Sequence, residues 1–310
     1  MRRVASGLLV ACGLASAASW SACGGDAFTT GSSLDRDGAV DSPSAGDDAS
    51  GPPAAGDDAR AEGGADTVDT GADSGGNPAS EASLPVNVCP TGPGPAMVLA
   101  GAFCIDSTEV TSAQYNDFLL AGPALTGQPS ECDWNDSYLP GNGWTFDPSA
   151  GTLPIANVNW CDAYAFCAWA GKELCGKVGG GPVDFADFAG ADNEHYAACS
   201  NASTRIYPYG NTFRPTACNG VDQHMMGVVP VGSLTGCQGG VPGLFDMSGN
   251  VEEWQNSCDG TAGASDSCRD GTGAFDYGDP PDGTRCDFAD YDARSGQFPD
   301  VGLRCCASIR

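Results

Sequence analysis

The residues of this chain with the clearest capacity for chemistry are its carboxylates and its cysteines. Asp246 and Glu253 flank the turn formers Ser248, Gly249 and Asn250, and Gly249 is free to take a positive φ. Those two carboxylates, with backbone carbonyls at Gly249 and Val251, can supply oxygens to a hard cation such as calcium. The same spacing describes a tight turn between two core segments with its acids in water, and no rule marks it as an ion loop. A sparser oxygen set stands at Asn219, Gly220 and Asp222, close to His224. His195 sits beside Glu194 and Tyr196, and for both histidines an ordinary surface or core place is the simpler expectation. The serines precede no evident base, so no catalytic set is assigned.

Cysteine is the second chemical signal. Of 16 cysteines, Cys12 and Cys23 fall near the N-terminus, which leaves an even set of fourteen from Cys89 to Cys306. An even set in an exported domain predicts a disulfide framework. A zinc or iron–sulfur reading lacks any C-x-x-C, and with 2 histidines it also lacks the usual partners. Closeness in the chain suggests Cys89–Cys104, Cys218–Cys237 and Cys258–Cys268, although spacing cannot decide connectivity.

The elements that must position these residues are few, as 45 glycines and 21 prolines imply. Thr111 and Gln114 form a capping box, followed by Tyr115, Phe118 and Leu119 at helical spacing and by Gly122 as a stop. Asn159 caps a second helix with Trp160, Ala163, Tyr164 and Cys167 on one face and Gly171 at its end. A third helix is expected from Asp192 to Cys199. Short strands and long loops account for the rest, held by disulfides.

The first 88 residues have a different character. A basic start at Arg2 and Arg3 precedes a short apolar stretch, which predicts a signal peptide over 1–23. Cys12 follows Leu-Val-Ala but leaves a very short apolar region. Cys23, after Trp-Ser-Ala, is the favoured lipid anchor, with plain secretion as the alternative. Residues 24–88 are mostly Gly, Ala, Ser, Pro and Asp, with eleven Asp plus Glu62 and Glu81 against Arg36 and Arg60. That composition buries too little to offset ordering entropy, so a disordered, self-repelling tether is expected there. Residues 89–310 suffice for one domain with a sizeable core. A net charge of -27 argues against nucleic acid and anionic membrane surfaces as partners.

The run GLFDMSGNVEEW at 243–254 resembles the signature of the formylglycine-generating enzyme family, the sulfatase-modifying factor domain, usually read G-L-[YF]-[DN]-M-x-G-N-V-W-E-W. Glu252 replaces the first Trp. Three further blocks match in order: MVLAGAF at 97–103 with Asp106 and Glu109-Val-Thr111; PIANVNW at 154–160 running into AWAGK at 168–172; and VGLRC at 301–305. The resemblance spans about 89–310 and implies an α+β fold of C-type-lectin-like kind, poor in regular structure and rich in disulfides. It also implies structural calcium at Asp246, Gly249, Val251 and Glu253. From the pairing in relatives it implies bridges Cys167–Cys305 and Cys199–Cys286.

Family enzymes oxidise a protein cysteine to formylglycine with O₂, copper and two thiols spaced Cys-x-x-x-x-Cys. Counting back from Arg285-Cys286 places Asp276 and Pro281 at those positions, so both thiols are missing. Copper, a soft ion that selects sulfur, then has no ligands. Two other blocks also depart from the pattern: RDGTGAF at 269–275 stands for R-G-G-S-[WFY], and LCGKV at 174–178 diverges. The favoured expectation is a non-catalytic module on a bacterial surface, binding a protein or glycan through its loops. A formylglycine-generating oxidoreductase with a rearranged site is the alternative.

Overall fold

Thr111 Oγ1 accepts from the Gln114 backbone N–H at 3.2 Å, and the Gln114 side chain accepts from the Thr111 N–H at 2.9 Å. This reciprocal cap opens helix α1, Ser112–Leu120. Asn159 and Asp162 make the same exchange at the start of α2, Trp160–Trp169. Gly122 and Gly171 take positive φ, 64° and 71°, just past the two helix ends. The third helix begins later than the sequence suggests. Asn193, not a residue before Asp192, caps α3 (Glu194–Ser200) by accepting from the Tyr196 N–H.

The computed structural model describes residues 88–309 apart from 224, 226, 274, 276–281 and 289. The expectations for the signal peptide, Cys12, Cys23, the acidic tether, His224, Asp276 and Pro281 lie outside the described residues.

Among the described residues the strands are short. They are β1 Met97–Ala100, β2 Phe103–Asp106, β3 Glu173–Leu174, β4 Glu252–Glu253, β5 Ser267–Arg269, β6 Tyr291–Ala293, β7 Val301–Gly302 and β8 Cys305–Ser308. Four of them form an antiparallel sheet in the order β1-β2-β8-β3. Alternate residues of β8 serve two cores. Cys305 joins the cluster of Tyr115, Phe118, Phe166, Trp254 and Leu303 beneath α1 and α2. Cys306 joins Phe103, Ile105, Leu244 and Met247 on the α3 side. Two small ladders, β4 parallel to β7 and β5 antiparallel to β6, carry the chain between the 243–254 turn and the last strand.

Seven disulfides use all fourteen cysteines from Cys89 to Cys306. Cys167–Cys305 ties α2 to β8, and Cys199–Cys286 ties the end of α3 to the C-terminal region. The three neighbouring pairs Cys89–Cys104, Cys218–Cys237 and Cys258–Cys268 are also present. Cys132–Cys161 and Cys175–Cys306 are bridges to which neither closeness nor resemblance pointed. Adjacent Cys305 and Cys306 reach different partners because β8 turns them to opposite faces. The result is an α+β, disulfide-rich fold with modest regular structure. Among the described residues no helix is long and apolar enough to cross a membrane.

Candidate functional site

The turn at 243–254 is buried almost throughout, with Asp246, Ser248, Asn250, Glu252 and Glu253 each at most 3% exposed. Asp246 and Asn250 adopt φ of 54° and 69°, and Gly249 adopts 77°. Gly249 is required by space as well as by backbone angle. A Cβ there would lie 2.6 Å from the Asn219 carbonyl oxygen.

Glu253 is the anion of a buried ion pair. Arg304 Nε lies 2.9 and 2.8 Å from its two carboxylate oxygens, and Nη2 lies 2.8 Å from Oε1. His195 Nε2 completes the set at 3.1 Å from Oε2. The same guanidinium donates to the backbone carbonyls of Asp106, Phe245 and Asp246 at 2.9–3.0 Å. Burial alone would raise Glu253, but the Arg304 charge and the His195 contact outweigh it and hold the carboxyl below the ordinary glutamate range.

Around this pair stand two more carboxyls. Glu109 accepts from the Asn250 side chain at 2.9 Å and from the Val251 N–H at 3.2 Å. Burial, then the charges of Asp246 and Glu253, push it well above the usual range. Asp246 accepts from the Gly232 N–H at 2.5 Å, and burial raises it to about 6. Further out, Asp106 pairs with Lys172 at 2.5 Å and accepts from the Cys305 N–H at 3.0 Å.

The two acidic members of the expected calcium set accept from protein groups, Asp246 from the Gly232 N–H and Glu253 from Arg304. Both Glu253 oxygens are engaged by Arg304 or His195, and the Arg304 guanidinium bridges Glu253 and the Asp246 carbonyl. Glu253 and Arg304 thus form a charge-compensated pair beside the Asp246 carbonyl. Asn219, from the sparser set, braces the turn instead. Its Nδ2 donates to Asn250 Oδ1 and to the Gly227 carbonyl, each at 3.1 Å, and its own carbonyl accepts from the Asn250 N–H. Gly220 and the half-buried Asp222 lie beside a separate small cleft lined by Tyr209, Phe213 and Arg214.

In the sequence Glu109 and Arg304 stand only as members of the matching blocks, with no task evident. The available signal was charge. A buried acidic turn needs a compensating cation, and basic residues are few in this acidic domain. His195 is a core residue, 2% exposed, as the simpler expectation had it, but it also bonds the turn.

Comparison with known proteins places the chain in a family. The family model described as "Sulfatase-modifying factor enzyme 1-like domain" matches residues 63–309. Inactive C-alpha-formylglycine-generating enzyme 2 from Mus musculus is 30% identical over 173 residues, covering 50% of this chain and 49% of that protein. Formylglycine-generating enzyme from Mus musculus is 32% identical over 116 residues, covering 33% of this chain and 26% of that protein. Among solved structures, PvdO from Pseudomonas aeruginosa overlays with a TM-score of 0.45 at 19% identity, covering 66% of this chain and 80% of that one. The chain spans about half the length, or less, of the two mouse proteins. The chain belongs to the sulfatase-modifying factor enzyme 1-like domain family.

Proposed function

We propose that this chain is an exported lipoprotein of a bacterial surface whose family domain binds a protein or glycan and carries out no thiol chemistry. The observation that carries the reading is the state of the sulfur: all fourteen cysteines from Cys89 to Cys306 are in disulfides. A formylglycine-generating reaction of the resembled kind needs two thiols to hold Cu(I), and here no thiol remains in the domain to do so. Asp276 and Pro281 at the matching sequence positions support the same reading, as does likeness to a relative whose own name calls it inactive.

Seven bridges also support folding in an oxidising compartment, outside the cytosol. A lipid on Cys23 would be the only membrane contact, with residues 24–88 as a stalk that lets the domain clear the surface. The net charge of -27 disfavours nucleic acid as a partner.

The test presents the mature protein to arrays of glycans and peptides, and separately to a cysteinyl peptide with copper and O₂. The reading expects specific capture on an array and no formylglycine by mass spectrometry. Copper-dependent conversion of the peptide would overturn it.

A further inference from the structure

A groove along α2 takes no part in the 243–254 turn or its ion pair. It is a cavity of about 270 Å³ between α2 and the 123–138 segment, lined by Pro123, Pro129, Tyr138, Tyr164, Ala168 and Trp169 among others. Its walls are fixed from behind. The Cys132–Cys161 bridge ties the segment to α2, the Tyr138 hydroxyl donates to the Ala124 carbonyl at 3.2 Å, and Asn135 donates to Asp162 at 3.0 Å. Trp169 packs on Phe118 and Phe166, with ring centroids 5.5 and 5.6 Å away. The groove is thus formed before anything enters it, which removes much of the ordering cost of binding.

Next to the lining residues in the chain, Leu120, Leu125 and Leu139 are 77%, 41% and 59% exposed. Single apolar side chains on a surface need no explanation, but three beside one aromatic groove mark a contact face. The surrounding charge has one sign. From residue 61 to 171 the chain holds no lysine, arginine or histidine. Asp133 and Asp136 are exposed in the segment whose two ends, Pro129 and Tyr138, line the groove. Asp117 is exposed in α1, the helix that precedes it. Charge then decides among occupants. Residues 24–88 bring eleven Asp and two Glu against two Arg, and a second copy brings the same aspartates, so both are repelled.

We propose that this groove docks an extended segment of a partner protein, apolar at its centre and flanked by lysines or arginines. Prolyl or aliphatic side chains of that segment lie on the half-buried rings of Tyr164 and Trp169, the way aromatic-lined grooves hold extended peptides. Its cations face Asp133 and Asp136, where they speed encounter and fix direction more than they add affinity. A neutral glycan would meet the rings but make no use of that charge. Such docking presupposes the protein-binding reading of the domain and names its class of partner.

The experiment pans a phage-displayed library of random linear peptides on the mature protein, then titrates the recovered peptides by calorimetry. Ala168→Gln fills part of the groove at an exposed helix position and keeps the net charge, so peptides held by charge alone bind both forms. Expected are peptides with an apolar core and flanking Lys or Arg, bound at least about tenfold more weakly by Ala168→Gln. The double variant Asp133→Asn, Asp136→Asn should bind them about three- to tenfold more weakly and with less dependence on salt. Recovery of no such peptide, or binding that survives Ala168→Gln, would overturn the proposal. So would binding that the double variant leaves unchanged. Capture of glycans alone on the arrays would sink the groove and leave the broader binding reading standing, whereas capture of neither class would remove both.

Discussion

Arg304 grips Glu253 through both Nε and Nη2 inside the protein, the two side chains being 0% and 2% exposed. It thereby closes the 243–254 turn onto the last strand. A bidentate pair of this kind is worth little against an apolar replacement of both partners, but removing one partner strands a buried charge. Glu253→Ala should therefore cost about 3–5 kcal/mol in denaturant unfolding. Because the partner is Arg304 rather than an ion, the loss should be equal in calcium and in chelator. A loss seen only in calcium would restore the ion loop.

Gly249 separates strain from space. Gly249→Ala meets a φ of 77° and the Asn219 carbonyl at 2.6 Å, whereas Gly101→Ala meets a φ of 71° with nothing within 4 Å. The second change should cost about 1 kcal/mol, the first about 2–4 kcal/mol. Equal midpoints for the two variants would show that Asn219 yields freely and does not brace the turn.

Buried carboxyls set an unusual pH response. Burial is the leading cause that raises Asp106 and Asp246 to about 6, and Asp162 and Glu194 to about 7. In each case the native state binds protons that the unfolded chain has already lost, so stability falls as pH rises through the window from about 4 to 7. Glu253, held low, works the other way and withdraws its support only below its unfolded value, near pH 4. Scanning calorimetry should find a melting point higher at pH 5 than at pH 8. A midpoint that climbs steadily from pH 5 to pH 8 would contradict these environments.

Bridge removal should scale with loop length. Cys167–Cys305 spans 138 residues and Cys258–Cys268 spans 10. The chain-entropy account assigns them about 5 and about 3 kcal/mol. Replacing each pair by serine and comparing denaturant midpoints tests the order. A larger loss for the short loop would mean native packing, not chain entropy, governs the effect.

Much of this fold is legible before any coordinates, for local reasons. Thr111–Gln114 and the Asn159 cap announce their helices because capping depends on residues three apart. The turn at 243–254 declares itself through its glycines and its acids. What the turn does chemically is hidden, since Arg304 lies far along the chain and joins Glu253 only when β8 enters the sheet. The same holds for Cys175–Cys306, which depends on the alternation of β8, and for Asp270, whose acidic neighbours Glu252, Asp290 and Asp292 arrive from two other stretches of chain. Resemblance supplied Cys167–Cys305, which no spacing rule reaches.

A domain without thiol chemistry must carry no free thiol. Alkylation of the folded, unreduced protein followed by peptide mapping measures it. The predicted result is seven bridges as assigned and no alkylated cysteine between Cys89 and Cys306. Two alkylated thiols in that span, or Cys286 found free, would contradict the claim and reopen copper-dependent oxidation as the function.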